Sequence, residues 1–342
     1  MDIKIIKKFR QHLQTRRDLL TLWLNNPSKK TKRILGRVSG KSADGKPLVT
    51  EQIEHALEQI DEGVFGNCTL CDGEVEEERL ALDFTTCVCL DHYSEKQKRE
   101  LEQDLELAAK VQKQLFPDEI PSLPGLQLAV RSEPSKIVGG DYFDFFPVAG
   151  NRQGFVIADV MGKGLPASML MSNLQASLRI LGPENENPAK TVSRLNELFR
   201  YNLKTIRFIT LFIGAIDPVR NTLVYCNAGH NPPFWFRHKS ADFIPLNPTG
   251  PALGILSNGD FRTKRITYQI GDQFLFYTDG LTEAKQDQEE FGEQRLQDFL
   301  KRYQNEPAQQ ILSGLFETIK KFSTQERDDL TALLLKINGN WR

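Results

Sequence analysis

Acidic residues recur in this sequence at the ends of apolar runs. Asp159 closes QGFVIAD ahead of the glycines in VMGKG, Asp279 follows FLFYT, Asp141 and Asp144 lie in VGGDYFDFF, and Asp328 and Asp329 precede LTALLL. One such aspartate is an ordinary turn residue. Several of them, each delivered by a strand whose end can meet the others, make an oxygen-only donor set that selects hard cations such as Mg2+ or Mn2+. Carboxylates around two such ions can clamp and activate a water for in-line attack on phosphorus. A second donor set is soft. Cys68 and Cys71 form a C-x2-C pair, and Cys87, Cys89 and His92 follow close behind. Cys89 and His92 repeat the two-residue gap of the first pair, so Cys68, Cys71, Cys89 and His92 are the expected ligands of one structural Zn2+, with Cys87 a spare thiol.

Other readings of the same stretches are weaker. IADVMGKGLP suggests a phosphate-cradling loop, but that motif needs GxxxxGK[ST], and here Lys163 precedes Gly164 with no Ser or Thr after it. Lys163 is at most an accessory phosphate ligand. His230 in NAGHNPP is expected to fix a turn by hydrogen bonding. Cys226 lacks the CxxxxxR pattern of a cysteine-nucleophile phosphatase and reads as a buried strand residue.

The elements that must position these groups fall in blocks. Residues 1–25 carry apolar residues at helical spacing, residues 26–49 are a basic, Gly/Ser/Pro-rich linker, and a second helix runs from Thr50 to a stop at Gly63. The KKTKR run within that linker reads as a solvated loop. After the cysteines, residues 94–116 form one charged helix with Leu101, Leu105, Ala108, Val111 and Leu115 on a narrow stripe, which suits a two-helix seam and a homodimer. Beyond Pro117 apolar and aromatic runs alternate with turn residues, with helices near 166–181, 188–204, 292–303 and 307–322. Strands and helices come in blocks, so an α+β layered fold with a mostly antiparallel sheet is expected. The resulting divisions are 1–93, 94–116 and 117–342. Length alone, at 342 residues, favours two domains. The net charge of −1 gives no support to a nucleic-acid surface. Neither a membrane span nor a secretory leader is evident, so a cytoplasmic protein without membrane partners is expected.

The stretches LAAKVQKQLFP, VGGDYFDFF, IADVMGKGLPASMLM, NAGHNPP, LGI, FLFYTDGLTEA and DDLTALLL, taken in order, resemble a PPM-type (protein phosphatase 2C-like) serine/threonine phosphatase of the SpoIIE/RsbU kind. The resemblance covers residues 105–338. It implies a β-sandwich flanked by helices with two Mn2+ or Mg2+ ions between the sheet ends. By motif, Asp159 would bridge both metals and be the catalytic centre, with the Val160 carbonyl as an extra ligand. Asp141 would bind one ion, and Asp279 and Asp328 the other face of the pair. Asp329 is the second choice there, and Asp144 would support its turn. Many relatives carry a histidine two residues after the bridging aspartate; here Met161 stands in that place, which leaves the source of a general acid open.

The segment ALEQIDEGVFGNCTLCDGEVEEERLALDFTTCVC resembles the zinc finger of the DksA/TraR family, with His92 in place of the usual fourth cysteine. The combined expectation is a phosphoserine/phosphothreonine protein phosphatase preceded by an α-helical zinc-finger domain and a linker helix. Hydrolysis would proceed by direct attack of a metal-bridging hydroxide on a phosphoprotein, by family analogy an anti-anti-sigma (STAS) protein. The alternative is a non-catalytic adaptor whose zinc-finger hairpin binds a partner such as RNA polymerase. A superficial likeness of VGGDYFDFF to the GGDEF signature fails at the residues that follow it.

Overall fold

The computed structural model describes residues 5–7, 9–11, 13–14, 17–18, 48–148, 152–162, 164–202, 208–256, 259–324 and 328–339. The linker at 26–47, its KKTKR run and Lys163 lie outside them. The chain forms two compact units, Met1–Glu102 and Gln103–Arg342. Among the described residues, no helix is long and apolar enough to cross a membrane.

In the first unit the described residues between 5 and 18 are helical. Helix α1 (Leu48–Asp61) places Ile53, Ala56, Leu57 and Ile60 at i, i+3, i+4 and i+7, on one face. That face closes a small core with Leu13, Phe65, Val75, Leu80 and the two buried cysteines, Cys68 and Cys89. Gly63 adopts φ +74 and ends the helical run, a conformation a side chain would resist. Helix α2 (Glu77–Leu82) and a 3-10 turn (Leu90–His92) follow. Helix α3 (Glu95–Lys113), whose residues from Gln103 belong to the second unit, opens with a capping box: Ser94 N–H donates to Gln97 Oε1 at 2.9 Å, and Gln97 N–H donates back to Ser94 Oγ at 3.3 Å.

The second unit is a sandwich of two five-stranded antiparallel sheets. One has the order β1 (Leu126–Glu133), β12 (Leu330–Ile337), β9 (Gln273–Tyr277), β6 (Phe234–Arg237), β7 (Asp242–Pro245). The other runs β2 (Tyr142–Val148), β3 (Arg152–Val160), β4 (Ile209–Asp217), β5 (Thr222–Ala228), β8 (Lys264–Thr267). Between them Phe155, Ile157, Phe212, Tyr225, Phe274, Phe276, Leu333 and Leu335 interdigitate. Each such side chain taken from water contributes roughly 1.5–3 kcal/mol. Helices α4 (Leu165–Glu184) and α5 (Pro188–Asn202) cover the outer face of the second sheet through Met171, Leu174, Leu178, Val192 and Leu195. A one-turn helix α6 (Gly280–Glu283) follows β9, and a short hairpin, β10 (Lys285–Gln286) and β11 (Glu289–Glu290), comes next. Helices α7 (Gly292–Arg302) and α8 (Ala308–Phe322) cover the outer face of the first sheet through Leu296, Ile311, Leu315 and Ile319. The α/β/β/α layering and the four long helices agree with the expectation from the sequence.

The sequence reading did not anticipate four of these strands. VGGDYFDFF, read for its turn aspartates, supplies β2, whose seven residues pair in full with β3. Asp144 therefore supports no turn. It lies mid-strand, almost fully buried, where the Arg179 guanidinium reaches it from α4 at 2.5 Å and the Tyr142 hydroxyl donates to it at 2.5 Å. Strand β7 and the β10–β11 hairpin also escaped notice, being short and polar. The charged helix expected over 94–116 spans Glu95–Lys113 and tightens at Gln114 and Leu115, whose amides bond three residues back.

Candidate active site and a thiol–imidazole cluster

Antiparallel register decides where the aspartates meet. Tyr142 pairs with Ala158, which sets the start of β2 beside the end of β3, and Ala332 pairs with Tyr277, which sets the start of β12 beside the end of β9. Asp141 just before β2, Asp159 near the end of β3, Asp279 just after β9 and Asp328 just before β12 thus emerge at one end of the sandwich. Their charges confirm the proximity. Burial, then repulsion from Asp159 and Asp329, holds the Asp141 carboxyl well above the ordinary carboxylate range. Burial, then repulsion from Asp279, Asp328, Asp329 and Glu283, pushes Asp159 up to about 7. Such a set disfavours its own ionisation unless cations join it, and its donors are all hard oxygens. The residues fit divalent ions of the Mg2+ or Mn2+ type.

Glycines shape the loops beside the strand ends. Gly162 and Gly164 take φ +108 and +69 between β3 and α4, where the chain must turn sharply. A Cβ on Gly140 would lie 2.8 Å from the Val160 carbonyl oxygen, so only glycine lets these two backbones approach. Asp141 is buried and its Oδ2 accepts a 2.7 Å hydrogen bond from the Thr278 hydroxyl. Asp159, Asp279 and Asp328 are partly exposed, which leaves a face for a substrate. Asp329 is buried, and its two oxygens accept backbone N–H groups from Ser135 at 2.6 Å and Gly140 at 2.7 Å.

His230 is buried, with Nδ1 2.9 Å from the Thr210 hydroxyl, while Asn227 brackets its backbone through Oδ1 and Nδ2. Burial lowers its pKa to about 4, so it is neutral and holds the turn after β5. Met161 anchors its amide on the Phe208 carbonyl. Cys226 lies within β5, buried, with its thiol raised to about 11 by that burial. Three participants escaped the sequence reading. Thr278 precedes a predicted ligand and orients another. Glu283, four residues after Asp279 on one helical turn, joins the acidic field. Gln112, buried at the end of α3, donates Nε2 to the Gly139 carbonyl at 2.7 Å and accepts the Gly139 amide at 3.1 Å. Only Glu283 carried a local signal, the i,i+4 spacing in DGLTE.

In the first unit, one donor atom each from Cys68, Cys71, Cys89 and His92 lies within 4.8 Å of the others. The Cys71 and Cys89 sulfurs are 3.8 Å apart, close to the ~3.8 Å edge of a tetrahedron with 2.3 Å Zn–S bonds. The Leu70 and Cys89 amides each point at the Cys68 sulfur at 3.4 Å. Burial raises that thiol's pKa, but these amide contacts outweigh it and bring the group to about 6, favouring the thiolate a metal needs. Cys87 is exposed and stands outside the cluster.

Residues 149–338 match the family described as Stage II sporulation protein E (SpoIIE). The chain is 28% identical over 240 residues to Phosphoserine phosphatase RsbU of Bacillus subtilis (strain 168), covering 70% of this chain and 71% of that protein. The crystal structure of the RsbU and RsbW domains of Rv1364c from Mycobacterium tuberculosis superposes with a TM-score of 0.59 at 26% identity, covering 67% of this chain and 64% of that one. The SiaA-PP2C domain of Pseudomonas aeruginosa shares the fold, with a TM-score of 0.61 at 19% identity over 70% of this chain and 98% of that one. With the sandwich and its acidic end already in place, the match over more than half the chain makes this protein a SpoIIE-family protein phosphatase.

Proposed function

We propose that this chain hydrolyses phosphoserine or phosphothreonine on a protein substrate at the acidic end of the sandwich, with Asp141, Asp159, Asp279, Asp328 and the Val160 carbonyl holding two Mn2+ or Mg2+ ions. The carrying observation is the convergence of carboxylates at one end of the sandwich, where burial and repulsion from their neighbours hold Asp141 and Asp159 above their ordinary range. Two divalent ions, when bound, would acidify water and draw the oxygens of a phosphoryl group. The rest falls to the chain. Asp159, which feels the charge of four neighbouring acids, would serve both ions. Thr278 fixes the rotamer of Asp141 through its hydroxyl. The partly exposed faces of Asp159, Asp279 and Asp328 leave room for a phosphorylated side chain. By family resemblance the substrate is an anti-anti-sigma (STAS) type protein in a partner-switching pathway, and the setting is the cytoplasm.

The first unit is proposed to be a DksA/TraR-like zinc finger in which Cys68, Cys71, Cys89 and His92 hold one Zn2+. Four protein ligands leave no open coordination position, so the ion would be structural. Helix α3 is proposed to pair with a second copy of the chain, since Leu101, Leu107 and Val111 remain exposed along it at 41%, 60% and 51%. The adaptor reading, with a vestigial phosphatase domain, is disfavoured because the acidic set is complete.

Four outcomes follow from these assignments. Asp159→Ala should abolish Mn2+-dependent hydrolysis of a phosphoprotein while leaving the circular dichroism spectrum unchanged; full activity in that variant would remove the assignment. The pH dependence has a definite sign. Asp159 holds its proton up to about 7 in the native state, against roughly 4 when unfolded, so the native state binds more protons between those values. Metal-stripped protein should therefore melt at a lower temperature at about pH 8 than at about pH 5, and Mn2+ should raise the melt more at the higher pH. A flat profile would contradict the proposed crowding. Elemental analysis should find one zinc per chain, and Cys68→Ser should lose it and destabilise the first unit; a wild-type chain purified without zinc, and unaffected by its addition, would dismiss the finger. Sedimentation should show a dimer that the double change Leu107→Glu with Val111→Glu turns into a monomer; a monomeric wild type would dismiss the seam.

A further inference from the structure

We infer that Asp329 is a positioning residue that presets the loop carrying Asp141, so that it governs metal affinity rather than the chemical step. The inference rests on the reading of Asp141 as a metal ligand. Asp159 belongs to a strand, whereas Asp141 is the last residue of an irregular segment, 134–141, between β1 and β2. Pairing of Tyr142 with Ala158 fixes the residue after Asp141, and something other than sheet register must hold the segment before it.

The Asp329 carboxylate spans that segment. Oδ1 accepts the Ser135 amide at 2.6 Å near its start, and Oδ2 accepts the Gly140 amide at 2.7 Å beside Asp141. Two donors, one on each oxygen, require two acceptor oxygens. An asparagine would offer one and turn an NH2 group toward the other amide, donor against donor. The carboxylate is itself held from behind, since its own amide donates to Asp328 Oδ1 at 2.8 Å and the next residue enters β12. Gly139 lies against it so closely that a Cβ there would come within 2.5 Å of Oδ2. From the other side Gln112 grips both backbone groups of Gly139. Packing does only part of this work: Val138 is buried, but Ile137 is half exposed. A cavity of about 430 Å3 borders the segment, lined by Ile137, Gly139, Asp141, Phe143, Gln112 and Asp329. On that side directed hydrogen bonds hold the loop.

Both oxygens of Asp329 are thus committed to amides, which leaves Asp328 the better metal donor of the adjacent pair. A preset loop spares an arriving cation the cost of ordering Asp141, and that saving appears as affinity.

Two variants separate positioning from charge. Asp329→Asn removes one acceptor and the charge. Gly139→Ala keeps every charge but pushes the flexible end of Asp329 off its amides, and Gly139 has no positive φ to forbid it. Each should raise the half-saturating Mn2+ concentration for hydrolysis about tenfold, the weight of one charge-assisted hydrogen bond, with most of the lost rate returning at saturating Mn2+. Mn2+ binding followed by electron paramagnetic resonance should weaken in parallel, and amide exchange over 134–143 should quicken in both metal-free variants. Unchanged Mn2+ binding in both variants would overturn the inference. So would irreversible loss of one bound Mn2+ in Asp329→Asn beside a silent Gly139→Ala, which would make Asp329 a ligand. Rapid exchange of the Gly140 amide in metal-free wild type would also overturn it. A wild type that binds Mn2+ without hydrolysing phosphoprotein would instead sink the phosphatase reading, and the binding and exchange measurements would still judge the loop.

Discussion

The constraint on which the second unit depends is the mutual repulsion of carboxylates crowded at one end of a sandwich. Two such charges about 5 Å apart repel by roughly 3 kcal/mol at an effective dielectric near 20, and Asp159 feels the repulsion of Asp279, Asp328, Asp329 and Glu283. A fold that gathers them must be rigid enough not to relax them apart. The interleaved aromatic core supplies that rigidity. Phe276 contacts Phe155 and Phe212 across the two sheets with ring centroids 4.8 and 5.0 Å away, and their strands carry or adjoin the acidic ends. Because side chains alternate along a strand, a one-residue slip of β3 would turn Asp159 away from its partners and its core residues toward the wrong face. Register in the core and geometry at the site are the same fact.

Sheet register cannot reach residues that lie between strands. There the work passes to side-chain hydrogen bonds, and the donors come from remote elements. Thr278, at the end of β9, orients Asp141 and also takes a backbone amide from Thr331 at 3.1 Å, so one hydroxyl ties β12 to the loop before β2. Gln112 ties the same loop to helix α3. The Asp144–Arg179 pair ties β2 to α4, the helix that begins just after the Asp159 turn. The guanidinium offsets part of the desolvation cost of burying that carboxyl.

This division between register and remote pairing explains what the sequence disclosed. The placing of Asp159 and Asp279 at the ends of apolar runs, and of Asp328 before one, was legible because each aspartate adjoins its strand in the chain, and the C-x2-C and C-x2-H pairs were legible because their donors are close in sequence. VGGDYFDFF was misread. An acid flanked by aromatics looks like a turn, and the arginine that lets Asp144 lie inside a strand comes 35 residues later. The Gln112–Gly139 clamp spans 27 residues, and the contact from Asp329 to Gly140 spans 189. Nothing in local composition announces either. The strand ends that bear the ligands could be read from sequence, whereas the contacts that hold the loops between them required the fold.

The two proposed metal centres follow opposite design rules, and the difference is physical. A structural zinc is held by soft donors that are themselves core. Cys68 and Cys89 are buried among Ile53, Phe65 and Leu80, so losing the ion would expose the core and leave thiolates unpaired within it. The acidic end of the sandwich places its carboxylates beyond the aromatic core, and three of them reach solvent. Its ions can exchange without dismantling the sandwich, so occupancy of that site can vary while the fold persists. What then bears on occupancy is how firmly the proposed ligands outside the strands, Asp141, Asp279 and Asp328, are held in place. A segment bordered by a cavity and held by a few hydrogen bonds is where a small displacement changes metal binding most, and helix α3 holds one side of it through Gln112.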